Sequence, residues 1–233
     1  FIEGKNYSLE PYDVVLVNAG EIHRPNVLDA TEYERIIIYV STQFLNAYKQ
    51  KTYDLNYCFE RGKKEHSNVL RIQSIEKSKL YQVCQELEHS FNDDEYANEL
   101  YQKILFLEFM IQLNRTAISN HINYLDSVNG NTKLIPIIEY INEHLTEELT
   151  IDILASKFYL NRYYLMHFFK EETGYTIGNY ITEKRLLLAK NLVHNGSSIT
   201  EACFQSGFKN YSTFLRAFKK KFNTIPKNAE FIN

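Results

Sequence analysis

Between Glu201 and Glu230 the sequence holds no acidic residue and six basic ones: Lys209, Arg216, Lys219, Lys220, Lys221 and Lys227. An arginine in such a run can present its guanidinium edge to guanine O6 and N7, and lysines beside it can hold phosphates. The phenylalanines threaded through the run, Phe214, Phe218 and Phe222, recur every fourth residue. That is the spacing of one buried helix face, so they read as packing rather than chemistry. A second set of the same character lies earlier, at Arg162, Tyr163, Met166, His167 and Lys170. The competing reading of both sets is a solvated helix surface. No Ser/His/Asp arrangement, phosphate-binding loop or dinucleotide fingerprint is present. Cys84 and His89 fall on one predicted helix and read as a coincidence.

The elements that must position these residues are helices. From 133 onward six are predicted: "IPIIEYINEHL" with Pro136 in its first turn, "TIDILASKFY", "NRYYLMHFFKEET" stopped by Gly174, "TIGNYITEKRLLLAKNLVHN" stopped at Asn195-Gly196, "SSITEACFQSG", and "NYSTFLRAFKKKF". Ser198 and Glu201 have capping-box spacing. Asn223 sits where a left-handed stop is needed, and Pro226 follows it. Upstream, "YDVVLV" and "RIIIYV" read as strands separated by turn chemistry. Ser41 or Thr42 opens a helix, and helical spacing runs over 68–91 and 96–115. Residues 119–132 are polar and read as a linker.

The third and sixth of the C-terminal helices match at an offset of 49, placing Asn161 on Asn210, Phe169 on Phe218, Lys170 on Lys219 and Gly174 on Asn223. The helices before them match at 48, Ile151 with Ile199 and Ala155 with Cys203. Two copies of helix, tight turn, helix result. With about 100° per residue, Leu165, Phe168 and Phe169 face inward in one copy, and Phe214, Ala217 and Phe218 in the other. The opposite arcs supply two reading sets: Arg162, Tyr163, Met166 and His167, then Tyr211, Ser212, Leu215 and Arg216. Met166 and Tyr163 suit a thymine methyl better than guanine, so the first unit is expected to prefer T-rich sequence. Lys170, Lys209, Lys219 and Lys220, with helix starts at Asn161 and Asn210, are the expected phosphate contacts. The connecting helix, about 20 residues at about 1.5 Å each, is long enough to serve adjacent major grooves about 34 Å apart.

Composition permits this reading. The chain has 233 residues and a formal charge of −3. Residues 1–132 carry 13 Lys+Arg against 19 Asp+Glu, a net of −6, whereas 133–233 carry 13 against 10, a net of +3. Three scattered cysteines fit a reducing compartment better than a disulfide framework. No run of apolar residues approaches membrane-spanning length, and no membrane partner is expected. The sequence opens at Phe1 within what reads as a strand, so a preceding segment is expected.

Residues 133–228 resemble the DNA-binding domain of the AraC/XylS family of bacterial transcriptional regulators. The resemblance rests on "LTIDILASKFYLNRYYLMHFFKEETG", "YITEKRLLLAKNLV" and "SITEACFQSGFKNYSTFLRAFKKKFNTIP". Gly207-Phe208, the Phe169-Lys170 and Phe218-Lys219 pairs, Arg185 four before Ala189, and Pro226 carry it. Asn223 stands for the usual Gly, Ala202 is smaller than the usual Ile, and Ala229-Glu230 replaces an aromatic and Arg. Residues 1–40 resemble the second half of a cupin-type sensor, with Asp13, Gly20 and His23 in "PYDVVLVNAGEIHRP".

The resemblance implies an α+β, mostly α chain. Cupin-like sensor strands and dimerisation helices occupy 1–118, a linker 119–132, and two helix-turn-helix units joined by a long helix 133–233. It implies a cytoplasmic, non-enzymatic regulator of double-stranded DNA, a homodimer through helices in 68–115, a small-molecule effector, and RNA polymerase as partner if it activates. Tyr7, Tyr12, His23, Arg24 and Tyr39 are the candidate effector-pocket residues, though aromatic strand residues also serve as core. No second His lies near His23, so neither a metal site nor a cofactor is expected. Two alternatives stand beside this reading. One is a cupin-type metal-dependent enzyme with a helical appendage, and the other a helical protein-interaction module without DNA binding.

Overall fold

In the computed structural model, residues 1–27, 33–119, 122–128 and 133–226 are described. They divide into two units. One comprises Tyr7–Val17 and Glu32–Ser127, the other Phe1–Asn6, Asn18–Thr31 and Val128–Asn233. Lys227, Ala229 and Glu230 lie outside the described residues.

The first unit holds strands β1 (Val14–Val15), β2 (Val69–Ile72) and β3 (Ile122–Tyr124) in an antiparallel sheet ordered β1-β2-β3. Helices α1 (Thr42–Asn46), α2 (Tyr57–Lys64), α3 (Lys79–Ser90) and α4 (Asn98–Ile118) pack around it. Ser41 caps α1 through its hydroxyl, as its position before the helix suggests. The core gathers Leu16, Leu45, Leu70, Leu80, Met110 and Leu113. Inside it, the Asn114 side chain accepts from the Cys58 N–H at 2.7 Å and donates to the Leu55 carbonyl at 2.9 Å. A buried amide stays stable there because both its ends are satisfied. Asp13, singled out by the cupin resemblance, receives the Arg71 fork at 2.9 and 2.7 Å and ties the β1 segment to β2.

Three expectations change in this unit. Of the strands expected in residues 1–40, only Val14–Val15 forms among the described residues, and 35–40 carries no ladder. The helix expected from residue 68 begins at Lys79, because Val69–Ile72 pairs with β1 on one edge and β3 on the other. Short apolar runs satisfy either period, and long-range pairing decides between them. Part of the expected linker, Ile122–Tyr124, is that third strand.

The second unit is helical: α5 (Leu134–Glu143), α6 (Ile151–Lys157), α7 (Arg162–Thr173), α8 (Ile177–His194), α9 (Ile199–Gln205) and α10 (Tyr211–Phe222). These are the six helices expected from spacing. Each of α6 to α10 starts at a side-chain cap: Thr150, Asn161, Thr176, Ser198 and Asn210. Gly174 at φ +77° and Asn223 at φ +53° terminate α7 and α10 in the left-handed region. Two cores result. Leu134, Ile137, Ile141, Leu154, Leu165, Phe169 and Tyr180 form one, and Leu186, Ala189, Cys203, Phe214 and Phe218 the other. Helix α8 belongs to both, its first half through Ile177, Tyr180 and Ile181 and its second through Leu186, Ala189 and Val193.

Candidate nucleic-acid interface

The sequence repeat becomes a geometric one. After α6 the chain turns at Tyr159 (φ +53°) and the Leu160 N–H donates back to the Ala155 carbonyl at 2.9 Å. After α9 it turns at Gly207 (φ +92°) and the Phe208 N–H donates to the Cys203 carbonyl at 3.2 Å. Both bonds hold the offset of 48, so Lys209 is the residue that the second turn adds. The small buried residues Ala155 and Cys203 let the paired helices approach.

Asn161 then opens α7, its side-chain oxygen accepting from the Tyr163 and Tyr164 N–H groups at 2.9 and 3.3 Å. Asn210 opens α10 in the same way, accepting from the Thr213 N–H at 2.9 Å. In each unit the cap sets where the helix begins, and therefore which side chains form its outer face.

Outward from α7 project Arg162, Tyr163, Met166, His167 and Lys170, all exposed, while Leu165 and Phe169 are fully buried beneath them. Phe168 is half-buried against the core and stacks on Tyr164 at 5.6 Å between ring centroids. From α10 project Tyr211, Ser212, Arg216, Lys219 and Lys220, again exposed, over buried Phe214 and Phe218. Leu215, placed in the reading set by angle, is half-buried and packs against the second core, so it is the least available member. Exposed residues outside the predicted sets lie beside these faces. Tyr159 protrudes from the first turn, 96% exposed, and Thr213 lies on the outer side of α10's first turn. The offset of 48 places Tyr159 on Gly207, the corresponding turn residue of the second unit.

Several of the basic groups are engaged at this surface. Arg162 pairs with Asp152, Lys209 donates to Glu148 at 3.1 Å, and Lys221 pairs with Glu183. Arg216 Nε lies 3.4 Å from the Ser212 carbonyl of its own helix. At Lys219, Lys220 and Lys221 the positive charge also suits the negative end of the α10 dipole.

Arg185 fixes the helix between the units. Its Nε donates to the Leu145 carbonyl and Nη2 to the Glu147 carbonyl, both at 2.8 Å. Burial pushes its guanidinium below the ordinary value. Gly207 sits directly against it, and a Cβ there would lie 2.6 Å from the Leu145 oxygen and 2.8 Å from Arg185 Nε. This explains the glycine on space as well as on backbone angle.

The candidate effector residues are divided between the units. Tyr7, Tyr12 and Tyr39 fall in the unit with the sheet, Tyr39 being 76% exposed, and His23 and Arg24 fall in the helical unit. His23 is exposed, and its Nδ1 lies 3.3 Å from the Glu21 carbonyl. Among the described residues no group of three or more His, Cys, Asp or Glu is placed to hold a metal. Nor, among them, is any helix long and apolar enough to cross a membrane.

Residues 154–229 match a family described as a helix-turn-helix domain. The HTH-type transcriptional activator RhaS of Escherichia coli is 24% identical over 158 residues, which is 66% of this chain and 55% of that protein. RhaS of Salmonella schwarzengrund is 28% identical over 128 residues, 54% of this chain and 44% of that protein. The chain thus spans about half the length of the curated relatives it matches. Among solved structures, the C-terminal domain of the response regulator yesN from Fusobacterium nucleatum is 29% identical, covering 41% of this chain and 94% of that one, with a TM-score of 0.39. The paired turns and the two capped second helices fall within the residues that match the helix-turn-helix domain, a region similar in sequence to RhaS.

Proposed function

We propose that the chain is a sequence-specific DNA-binding transcriptional regulator that lays α7 and α10 into adjacent major grooves. The observation that carries this is the duplication: two capped helices with exposed polar and basic outer faces, both packed on α8. The 18 residues of α8 span about 27 Å, a length suited to neighbouring grooves on one face of a duplex. Arg216 is the guanine reader, and Tyr163 and Met166 press on thymine methyls. Lys170, Lys219 and Lys220, with the capped helix starts at Asn161 and Asn210, hold phosphates. Like RhaS, it activates, which makes RNA polymerase a partner, and it works in the cytoplasm without enzymatic chemistry of its own.

The second partner is another copy of the chain. Leu100, Ile104, Ile111 and Ile118 are exposed on α4 and fall within about 40° of one another at 100° per residue. A stripe of four large apolar residues along one helix is a dimerisation seam. Exchanging Ile104 and Ile111 for Lys converts a dimer to a monomer in sedimentation. The residues that resemble a cupin sensor respond to a small effector, with Tyr7, Tyr12, His23, Arg24 and Tyr39 as the positions to substitute first.

Selection of binding sites from a random duplex pool, at two salt concentrations, tests the central reading. An asymmetric site spanning two major grooves supports it. Salt-sensitive binding with no enriched sequence reduces the surface to a phosphate contact, and absence of binding overturns it.

A further inference from the structure

The midpoint of α8 is gripped from a distant part of the chain. Glu3 sits in the left-handed region, at φ +43°, within a short segment that pairs Ile2 with His23. Its carboxylate is enclosed by four donors. Lys184 Nζ reaches both oxygens at 3.1 Å, the Tyr180 hydroxyl donates at 3.2 Å, Asn142 Nδ2 at 3.1 Å, and the Ile22 N–H completes the set. The Lys184 and Glu3 side chains are 11% and 15% exposed. Lys184 Nζ donates in addition to the Gly20 carbonyl at 2.7 Å.

These donors come from α5 (Asn142), α8 (Tyr180 and Lys184) and the segment itself (Ile22). The place of Lys184 is specific. It lies between Ile181, the last buried α8 residue of the first core, and Leu186, the first buried one of the second, with Leu187 and Leu188 packed against the first core beyond it. On the next residue, Arg185 holds the carbonyls of Leu145 and Glu147. The stretch of α8 where the first core gives way to the second is therefore held by charge-assisted bonds, which are directional as well as strong. The segment is seated by packing too. Ile22 is buried in the first core, a Cβ on Gly4 would lie 2.9 Å from Ile138 Cδ1, and the Arg24 guanidinium covers the α-carbon of Gly174. Burial, with the Glu3 carboxylate beside it, pushes the Tyr180 hydroxyl far above the ordinary tyrosine value, so it stays a donor.

We infer that Glu3 is a positioning residue for DNA reading: by fixing the middle of α8 against α5, it sets the placement of α10 relative to α7 and so the half-site spacing that the chain accepts. The inference rests on two-groove reading. It adds that this geometry is determined outside residues 154–229. The outer faces of α7 and α10 stay clear of the segment, because the contacts fall on α5, α8 and the α7 terminus.

The test uses the full chain with Glu3→Gln, Lys184→Met, and the double variant, which removes the buried charge from both sides. Dissociation constants are measured on the selected duplex and on duplexes with one base pair added or removed between half-sites, a shift of about 3.4 Å along the axis. Active fraction comes from stoichiometric titration, so partial unfolding does not enter the ratio. The expected result is a wild-type preference for one spacing that falls about tenfold in Glu3→Gln and Lys184→Met, the order expected for loss of a charge-assisted contact. Binding to non-specific duplex stays unchanged. Should either single variant fail to fold, the double variant gives the same ratio. An unaltered spacing preference in every folded variant overturns the inference, and Glu3 is then a stability contact only. A wild type that binds one half-site alone, indifferent to spacing, instead overturns two-groove reading and with it the inference.

Discussion

The guanidinium of Arg162 reaches both carboxylate oxygens of Asp152, with Nη1 donating at 3.0 and 3.1 Å. Both side chains are more than half exposed, so the pair contributes little to folding. On the proposed reading its effect falls on binding, because it occupies a candidate base reader and places a negative charge next to the candidate phosphate contacts. Asp152→Asn is expected to leave the melting temperature within about a degree and to tighten duplex binding several-fold at low salt. A salt titration checks this, since the affinity should fall more steeply with salt by about one released counterion.

Arg216 and Lys219 stand one turn apart on α10 and should respond differently. Arg216→Ala is expected to cost about 1–3 kcal/mol at a single guanine and to relax selectivity there. Lys219→Ala should weaken all sequences alike and lower the salt slope by about one. Binding-site selection with each variant separates the two outcomes.

The two turns make a pair of opposite predictions. Gly207→Ala introduces a side chain at φ +92° into a space bounded by the Leu145 carbonyl and Arg185, and should destabilise by more than about 1 kcal/mol. Tyr159 holds the corresponding left-handed position in the first unit with its side chain almost wholly in solvent. Tyr159→Gly should therefore raise stability by up to ~1 kcal/mol. Denaturant midpoints on the full chain measure both.

Capping is equally direct. Asn210→Ala removes the acceptor for the Thr213 N–H, and a loss of about 0.5–2 kcal/mol is expected. Asn161→Ala should fall in the same range, and Asp at either position should retain most of the stability.

Glu201 gives a pH dependence of known sign. The Ser198 hydroxyl and backbone N–H hold its carboxyl below the ordinary value of 4.5. The unfolded chain then binds the proton more readily, so the capping box contributes stability above about pH 4.5 that is lost as pH falls through the lowered folded value. Comparing thermal melts of wild type and Glu201→Gln from neutral pH downward should show the difference between them shrinking across that window.

All six helices from α5 to α10 were legible in the chain, and so was the repeat. Their signals are local: caps one turn from the groups they satisfy, a glycine or asparagine at the stop, and phenylalanines every fourth residue. The exposed faces followed from rotation alone, and only Leu215 sits deeper than its angle implied, because it lies at the border of the core beside Phe214. In residues 1–128 local signals are weaker. Val69–Ile72 carries apolar residues that fit a helix, and it is a strand because Val14–Val15 and Ile122–Tyr124 lie on either side of it.

By itself the sequence determined the exposed faces of α7 and α10, since a helix of 12 residues with its own cap and stop defines its outer face wherever it packs. The tertiary structure decided which parts of the chain complete that unit. Nothing near Glu3 indicates that its carboxylate meets Lys184, 181 residues away, because both groups look like ordinary surface charges in sequence. Burial turns them into a joint, since two opposite charges largely removed from water are stable only when each satisfies the other.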